Sequence, residues 1–501
     1  MGIFKKCVAA SVMAMLIITG FVDVEGRNST TQTDVNKLKS DSSLENEENL
    51  LEQSLYPFHK MQSIDAEDTS GIIAIGNKII LLGTNYGWAE SSEGTKNGDG
   101  EFDFSDLNFF KKYPNLINIE IRDKQLTLEM LENLQKFMPR ELVGLIFNKC
   151  YADKESANLF EDMIRKRDTL KSISFIYPDC PQEITDAVVN AVASCQNLQH
   201  LNLNFGHISQ ENCKNIAKAI KDSAKSLRGL SIGFEEIDSD DNGSGLMEIG
   251  EAIKAATDLE QLSITILDLP EAYSKEFFAC IPQLKYLKDL KLYFGNLTSY
   301  NNVIAFECIE LLLSILEYSS TLEHFDISGM QLPDKTMQLI AQTIAKFTNL
   351  STLNLSQNTI GEDAARELSN SFKNLEYLQN LFMNFCELTP STFGTLCQGF
   401  AAGSDIQTLW LRGNAIGNGA RNLPFSNLPK LNCVDFSKNE IVYDDAKGTI
   451  EAAKGHPTLR IMNFSDNKEI DERSTAQKTI DHDNLVTWKV KNNCHIEVLG
   501  I

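Results

Sequence analysis

The sequence predicts an α/β solenoid in which short parallel strands alternate with helices along a chain of 501 residues. Three observations predict this fold: an apolar frame, L-x-x-L-x-L, that recurs along the chain, its nearly constant period, and the helical patterns between frames. Successive frames start 25 to 35 residues apart, and seven of the twelve intervals are 28 residues. A period of this length is typical of repeat proteins, whose units stack on one another.

Each frame predicts one strand. In Leu350-Leu353-Leu355 the last two leucines are two residues apart, which is the spacing of a strand with one buried face. The thirteen frames start at Leu116, Leu142, Leu170, Leu198, Leu227, Leu259, Leu287, Leu322, Leu350, Leu378, Ile406, Leu431 and Leu459.

A polar residue follows several frames, three places after the last apolar residue. It is asparagine in four repeats and cysteine in two, at Asn358, Asn414, Asn439, Asn467, Cys150 and Cys386. We expect these side chains to satisfy loop backbone groups that have no partner in the sheet.

The segments between frames predict helices. Residues 361–372 place Ala364, Leu368 and Phe372 on one helical face. A single strand and helix cannot bury such a face, so the repeats must stack.

The stretch LNLSQNTIGEDAARELSNSF, residues 353–372, resembles a leucine-rich repeat of the ribonuclease-inhibitor type. The resemblance covers residues 116–470 and implies a horseshoe with a parallel sheet on its concave side and helices on its convex side. It also implies that the concave face binds proteins. The chain has no G-x-x-x-x-G-K-[ST] motif, so the architecture of NOD-like receptors is not supported.

The charge balance excludes some partners. The chain has 46 Lys and Arg against 69 Asp and Glu, a net charge of −23. Such a surface repels nucleic acids and anionic membranes, and it favours a basic protein partner.

The N-terminus predicts export. Lys5 and Lys6 precede an apolar run from Cys7 to Val22, the pattern of a signal peptide over residues 1–26. An uncleaved anchor is the alternative; after cleavage we expect no stable membrane insertion. The prediction is a secreted or periplasmic protein, with delivery to a host cell as one setting for its work.

The remaining boundaries follow from composition. Residues 27–68 form an acidic polar linker, 69–115 an N-terminal cap, 116–470 the solenoid and 471–501 a C-terminal cap. Within the first cap, residues 71–83 predict a hairpin that turns at Gly76 and Asn77. The cysteines fall mostly at core positions, which favours buried free thiols over disulfides.

The N-terminal cap contains a candidate calcium loop, residues 95–106, which resembles one loop of a dockerin or EF-hand. The resemblance implies oxygen ligands from Asn97, Asp99, the Glu101 carbonyl, Asp103 and Asp106. Thr95 departs from the family pattern, which has aspartate there. An acidic turn without metal is the alternative.

The concave face is where we expect partner binding. Phe382 and Trp410 hold equivalent places in adjacent repeats, Arg412 lies two residues beyond Trp410, and Tyr293 holds the Arg412 place in an earlier repeat. Aromatic residues and arginine often anchor protein interfaces, so these four are predicted to be exposed contact residues. Alternatively, Phe382 and Trp410 stack on each other. Phe205, Phe234, Phe294 and Phe385 are predicted to pack at the ends of strands.

Signals for an enzyme are weak. The seven histidines are scattered, and no H-E-x-x-H or G-x-S-x-G motif occurs. Cys433 and Asp435 match the C-x-D spacing of bacterial ubiquitin ligases, but they lie inside a repeat. We therefore predict a non-enzymatic binding protein; the alternative is an enzyme or modifier with active residues in the caps or in loops such as 235–245.

Overall fold

A computed structural model describes the following parts of the chain: residues 72–75, 78–82, 117–122, 125–177, 179–237, 244–266, 277, 284–294, 321–467 and 496–499. By internal contacts, all of them belong to one unit, Thr69–Ile501. The predicted signal peptide, acidic linker and calcium loop lie outside the described residues and stay predictions.

The described strands form one long sheet and one small sheet. The long sheet has the order β1-β2-β3-β5 and then β7 to β18 in sequence, and β4 pairs with β6 separately. The strands are β1 (Ile72–Ile75), β2 (Lys78–Leu82), β3 (Asn118–Arg122), β4 (Gln125–Leu126), β5 (Gly144–Asn148), β6 (Tyr151–Ala152), β7 (Ser172–Tyr177), β8 (His200–Ile208), β9 (Gly229–Ile237), β10 (Gln261–Ile266), β11 (Asp289–Phe294), β12 (His324–Asp326), β13 (Thr352–Asn354), β14 (Asn380–Phe382), β15 (Thr408–Trp410), β16 (Cys433–Asp435), β17 (Ile461–Asn463) and β18 (Glu497–Leu499).

Helices connect most of these strands. The described α-helices are α1 (Leu128–Phe137), α2 (Ala157–Arg165), α3 (Gln182–Val192), α4 (Gln210–Asp222), α5 (Ser244–Ala255), α6 (Asp334–Ile344), α7 (Glu362–Phe372), α8 (Pro390–Cys397) and α9 (Tyr443–Ala452). The 25-residue repeat that starts at Ile406 has two 3₁₀ turns instead, Gly417–Asn422 and Phe425–Asn427.

The core lies between the sheet and the helices. Leu350, Leu353 and Leu355 are fully buried, as the frame predicts. On α7, Ala364 and Leu368 are also fully buried and belong to the same core. The α/β solenoid with a parallel sheet and helices on one of its faces is therefore confirmed.

The asparagines after the frames join neighbouring repeats. Asn414 Nδ2 donates to the carbonyls of Leu411 (2.7 Å) and Met383 (2.9 Å). Asn414 Oδ1 accepts from the backbone N–H groups of Cys386 (2.8 Å) and Leu388 (3.0 Å). One side chain thus satisfies four backbone groups in two repeats, which confirms the expected role.

Strands also complete both ends of the long sheet. The predicted hairpin is present, because β1 and β2 pair antiparallel with Ile75 opposite Lys78. β2 then pairs in parallel with β3. At the other end β18, from the tail, pairs in parallel with β17.

The described cysteines agree with the prediction of thiols in most respects. Cys386 and Cys397 are buried free thiols, and burial raises the pKa of Cys386 to about 12. Cys386 holds the place that asparagine occupies in other repeats, and its Sγ donates to the Leu355 carbonyl at 3.3 Å. Cys180, Cys195 and Cys433 are free thiols as well, but they are only partly buried.

Candidate functional site

The face of the sheet opposite the helices carries the third, fifth and seventh places of each frame. We call this surface the open face. Parallel pairing keeps equivalent places in register, so Phe382 lies opposite Asn354 on one side and Trp410 on the other. Trp410 in turn lies opposite Asp435. The open face is therefore a set of side-chain rows that run across the strands, about 5 Å apart from strand to strand.

Phe382 and Trp410 stack on each other. Their ring centroids are 6.2 Å apart and their planes differ by 11°. Only 3% of the Phe382 surface is exposed to solvent, whereas Trp410 is partly exposed. The expectation that both are exposed is therefore wrong for Phe382, whose ring stacks on the indole.

The Trp410 indole has one unusual feature. Its Nε1 is buried and has no hydrogen-bond partner among the described residues. A buried N–H without an acceptor costs about 1–3 kcal/mol. Part of the ring thus faces solvent while its polar atom is unsatisfied.

Arg412 lies beside Trp410 and is held in place. Its guanidinium bonds Ser437 Oγ at 3.1 Å and Asp466 Oδ2 at 3.2 Å, and its side chain is 16% exposed. Lys438 Nζ approaches the same Asp466 oxygen at 3.7 Å. Arg412 is therefore accessible, but its conformation is already fixed by contacts within the chain.

Tyr293 does not join this group. It lies on β11, four strands from β15, and retains 4% of its exposure, so its predicted exposure is wrong. Its ring lies against Gly329, where a Cβ atom would come within 2.6 Å of Cε2. The glycine leaves room for the ring to lie flat, and this burial raises the pKa of Tyr293.

Phe385 was predicted to pack at the end of its strand like three other phenylalanines, but it differs from them in exposure. Phe205, Phe234 and Phe294 are buried as expected, but Phe385 is 45% exposed. Its backbone is left-handed (φ 54°), and its ring lies over Gly413, 2.2 Å from where a Cβ atom would be. The sequence contains a signal for this difference: Gly413 holds the same place in the next repeat, and its lack of a side chain lets the Phe385 ring lie over it.

Four charged residues form a second cluster on β11 and β12. Asp289 Oδ1 contacts His324 Nδ1, and Lys291 Nζ lies 3.8 Å from Asp326 Oδ2. Burial lowers the pKa of Lys291 to about 8, against the opposing charge of Asp326. Burial also lowers the pKa of His324, but the Asp289 contact and the charges of Asp289 and Glu323 outweigh it and raise the pKa.

Two chemical interpretations can be assessed among the described residues. No group of three or more His, Cys, Asp or Glu residues there could hold a metal ion, and the predicted calcium ligands lie outside. For the C-x-D pair, burial and then the Asp435 charge raise the pKa of the Cys433 thiol to about 12. A thiol with that pKa is protonated at neutral pH and is a poor nucleophile.

The recurring frame, the parallel sheet and the buried asparagines decide the architecture. The chain folds as a leucine-rich-repeat solenoid. No protein-family model matches it. Within the parts of the chain that the structure describes, no helix is both long and apolar enough to span a bilayer.

Two mouse proteins are similar to part of the chain. NACHT, LRR and PYD domains-containing protein 4C is 23% identical over 304 residues, which are 52% of this chain and 29% of that protein. NACHT, LRR and PYD domains-containing protein 5 is 25% identical over 150 residues, 28% of this chain and 13% of that protein. The chain thus matches less than a third of either relative.

Two solved structures are also similar. The internalin InlF from Listeria monocytogenes is 16% identical with a TM-score of 0.37, covering 78% of this chain and 87% of that one. The TLR13–ssRNA13 complex is 14% identical with a TM-score of 0.29, covering 72% of this chain and 59% of that one.

Proposed function

We propose that this leucine-rich-repeat protein binds another protein on its open face, at a site centred on Trp410, and that it acts without catalysis. The observation that carries the proposal is the partly exposed indole, which stacks against the buried Phe382 ring of the adjacent strand. Tryptophan and arginine are the residues that most often dominate interface energetics, and Arg412 lies beside the indole.

The arrangement also favours binding on entropic grounds. The Phe382 stack restrains the indole, and Ser437 and Asp466 restrain Arg412. A side chain already ordered in the free protein loses less conformational entropy when a partner binds.

We also propose that the protein is exported, with secretion or a periplasmic location following from its first 26 residues and host interaction as one role. The supporting observation is Lys5 and Lys6 followed by the apolar run. N-terminal sequencing of the protein recovered outside the cytoplasm should start near Arg27. A protein retained in the cytoplasm with Met1 intact would contradict export.

The binding proposal is tested with three matched forms of the full chain: wild type, Trp410→Ala and Tyr377→Ala. Tyr377 is a good control, because it is an aromatic residue with 56% exposure outside the open face. Proteins from lysates of candidate host and bacterial cells are captured on each form and quantified by mass spectrometry. We expect a protein that wild type and Tyr377→Ala retain equally and that Trp410→Ala loses. Equal capture by all three forms would remove the Trp410 site.

A further inference from the structure

The edge of the sheet where the strands end is strongly acidic in the later repeats. We call the segments from the eighth frame place to the second residue of the next helix or 3₁₀ turn the exit edge. From β12 to β17 its described residues include seven acids and two bases. The acids are Asp334, Glu362, Asp363, Glu387, Glu440, Asp444 and Asp466, and the bases are Lys335 and Lys438.

Several of these acids have a structural role. Asp334 accepts hydrogen bonds from the N–H groups of Gly361 (2.8 Å) and Ala364 (3.0 Å) at the start of α7. Asp466 pairs with Arg412 and Lys438. These contacts within the chain account for the Asp334 and Asp466 carboxylates, so neither residue is evidence for a binding partner.

Glu387 and Glu440 have no such role. Both side chains are exposed, and neither makes a hydrogen bond or ion pair with a described residue. Both backbones are left-handed, with φ of 58°. They hold the same place, two residues beyond the eighth, in the repeats of β14 and β16. The repeat between them has Ala415 at that place, whose side chain is a single methyl group.

The exposed Phe385 ring covers part of the repeat that lies between the repeats of these two glutamates. It starts from the β14 repeat and covers Gly413 of the β15 repeat, the middle of the three. The loops stay in register beyond the strands, because Phe385 N–H donates to the Arg412 carbonyl at 2.8 Å and Ala415 N–H to the Leu388 carbonyl at 2.8 Å. With strands about 5 Å apart, the two glutamate backbones lie about 10 Å apart across the repeats, one in the repeat before and one in the repeat after the one that the ring covers, and both hold the place two residues beyond the one that Gly413 holds in its repeat.

An aromatic face between two carboxylates favours a cation. The ring quadrupole attracts a guanidinium or ammonium group over its face, and the carboxylates pair with the same charge. We propose that the exit edge at Phe385 binds a lysine or arginine side chain of the protein partner. The cation would lie over the Phe385 ring and pair with the Glu387 and Glu440 carboxylates. This inference rests on the proposed function and names the chemistry of the partner: a basic segment.

The cations already present near the ring are engaged elsewhere. Arg412 reaches Asp466 and Ser437, and Lys438 also points to Asp466. Lys438 holds the eighth place of the β16 repeat, next to Gly413. Its charge therefore repels an incoming cation at short range, and its removal should strengthen binding.

The test uses the full chain and a displayed library of random dodecapeptides as the probe. Peptides selected on wild type should contain more lysine and arginine than the unselected library. One selected peptide is then synthesised, and its Kd is measured by fluorescence anisotropy against each variant. Thermal melting checks that every variant is folded, which is expected because the altered side chains are exposed.

The expected shifts have different signs. Phe385→Ala should raise the Kd about two- to fivefold, the size of one exposed cation–π contact. The double change Glu387→Gln and Glu440→Gln should raise it about three- to tenfold at low salt, and less at high salt. Lys438→Gln should lower the Kd, and Tyr377→Ala should leave it unchanged.

The failure of this inference can be told apart from failure of the proposed function. Selected peptides without excess basic residues, or a Kd unaffected by Phe385→Ala and by the double glutamine change, overturn the cation site. If Trp410→Ala still abolishes binding of those peptides, the open-face proposal survives. Binding that is insensitive to Trp410→Ala counts against the proposed function itself.

Discussion

The Phe382 ring lies parallel to the Trp410 indole on the adjacent strand, with 6.2 Å between their centroids. The two aromatic residues therefore have different roles although they hold the same place in successive repeats. Phe382 is buried and supports the indole, whereas Trp410 presents part of its ring to solvent.

The stack predicts unequal effects on stability. Phe382→Ala leaves a gap beneath the indole and should lower the free energy of unfolding by about 3 kcal/mol. Trp410→Ala removes a partly exposed ring and should cost clearly less. Chemical denaturation of both variants measures the difference. Equal losses of unfolding free energy would show that Trp410 contributes as much to the stability of the fold as Phe382 does.

The buried asparagines should be among the most sensitive polar positions. Asn414→Ala leaves two N–H groups and two carbonyls of neighbouring loops unsatisfied, so we expect a loss of about 3 kcal/mol. Asn414→Cys should cost less, because Cys386 holds this place in the preceding repeat and donates to a loop carbonyl. Urea unfolding of the two variants measures which loses more stability. A smaller loss for Asn414→Ala than for Asn414→Cys would contradict the role given to the Asn414 amide.

The buried pair of Lys291 and Asp326 predicts non-additive substitutions. Lys291→Met leaves the buried Asp326 carboxylate without its cation and should cost about 3 kcal/mol. Asp326→Asn in the same chain should restore most of this loss. An asparagine fits there, since Asn354 at the equivalent place accepts the Ser356 N–H as Asp326 accepts that of Ser328.

A double-mutant cycle in urea provides the measurement for this pair. The coupling between the two changes should be at least about 1 kcal/mol, with the double variant more stable than Lys291→Met alone. If the two losses simply add, the pair does not interact.

His324 predicts a pH dependence of stability. Its folded pKa is raised above the unfolded value near 6.5, so protonation favours the folded state. This contribution is complete below about pH 6.5 and is lost as the pH rises through the folded pKa. The stability difference between wild type and His324→Gln should therefore shrink from pH 6 to pH 8.5.

Melting curves at several pH values test this sign. Lys291, whose pKa burial lowers to about 8, is present in both proteins, so its effect should largely cancel in the difference. A difference that grows with rising pH would mean that burial outweighs the Asp289 contact.

The repeat pattern was enough to predict the strands, the helical faces, the asparagine bonds and the first hairpin. These features depend on residues close in sequence or at one fixed period. The exposure of Tyr293 and Phe382 and the packing of Phe385 were predicted incorrectly, because both depend on which side chain the neighbouring strand presents. Gly329 and Gly413 leave room for rings to lie flat, and Trp410 stacks on Phe382. Each of these neighbours is more than 25 residues away in the chain.

The most direct test of the central claim compares capture by Trp410→Ala with capture by Tyr377→Ala, both folded and at equal concentration. We expect a partner protein that binds wild type and Tyr377→Ala with the same Kd and binds Trp410→Ala at least about tenfold more weakly, as for an interface hot spot. A partner that binds all three proteins equally well would contradict the claim that the open face at Trp410 is the binding site.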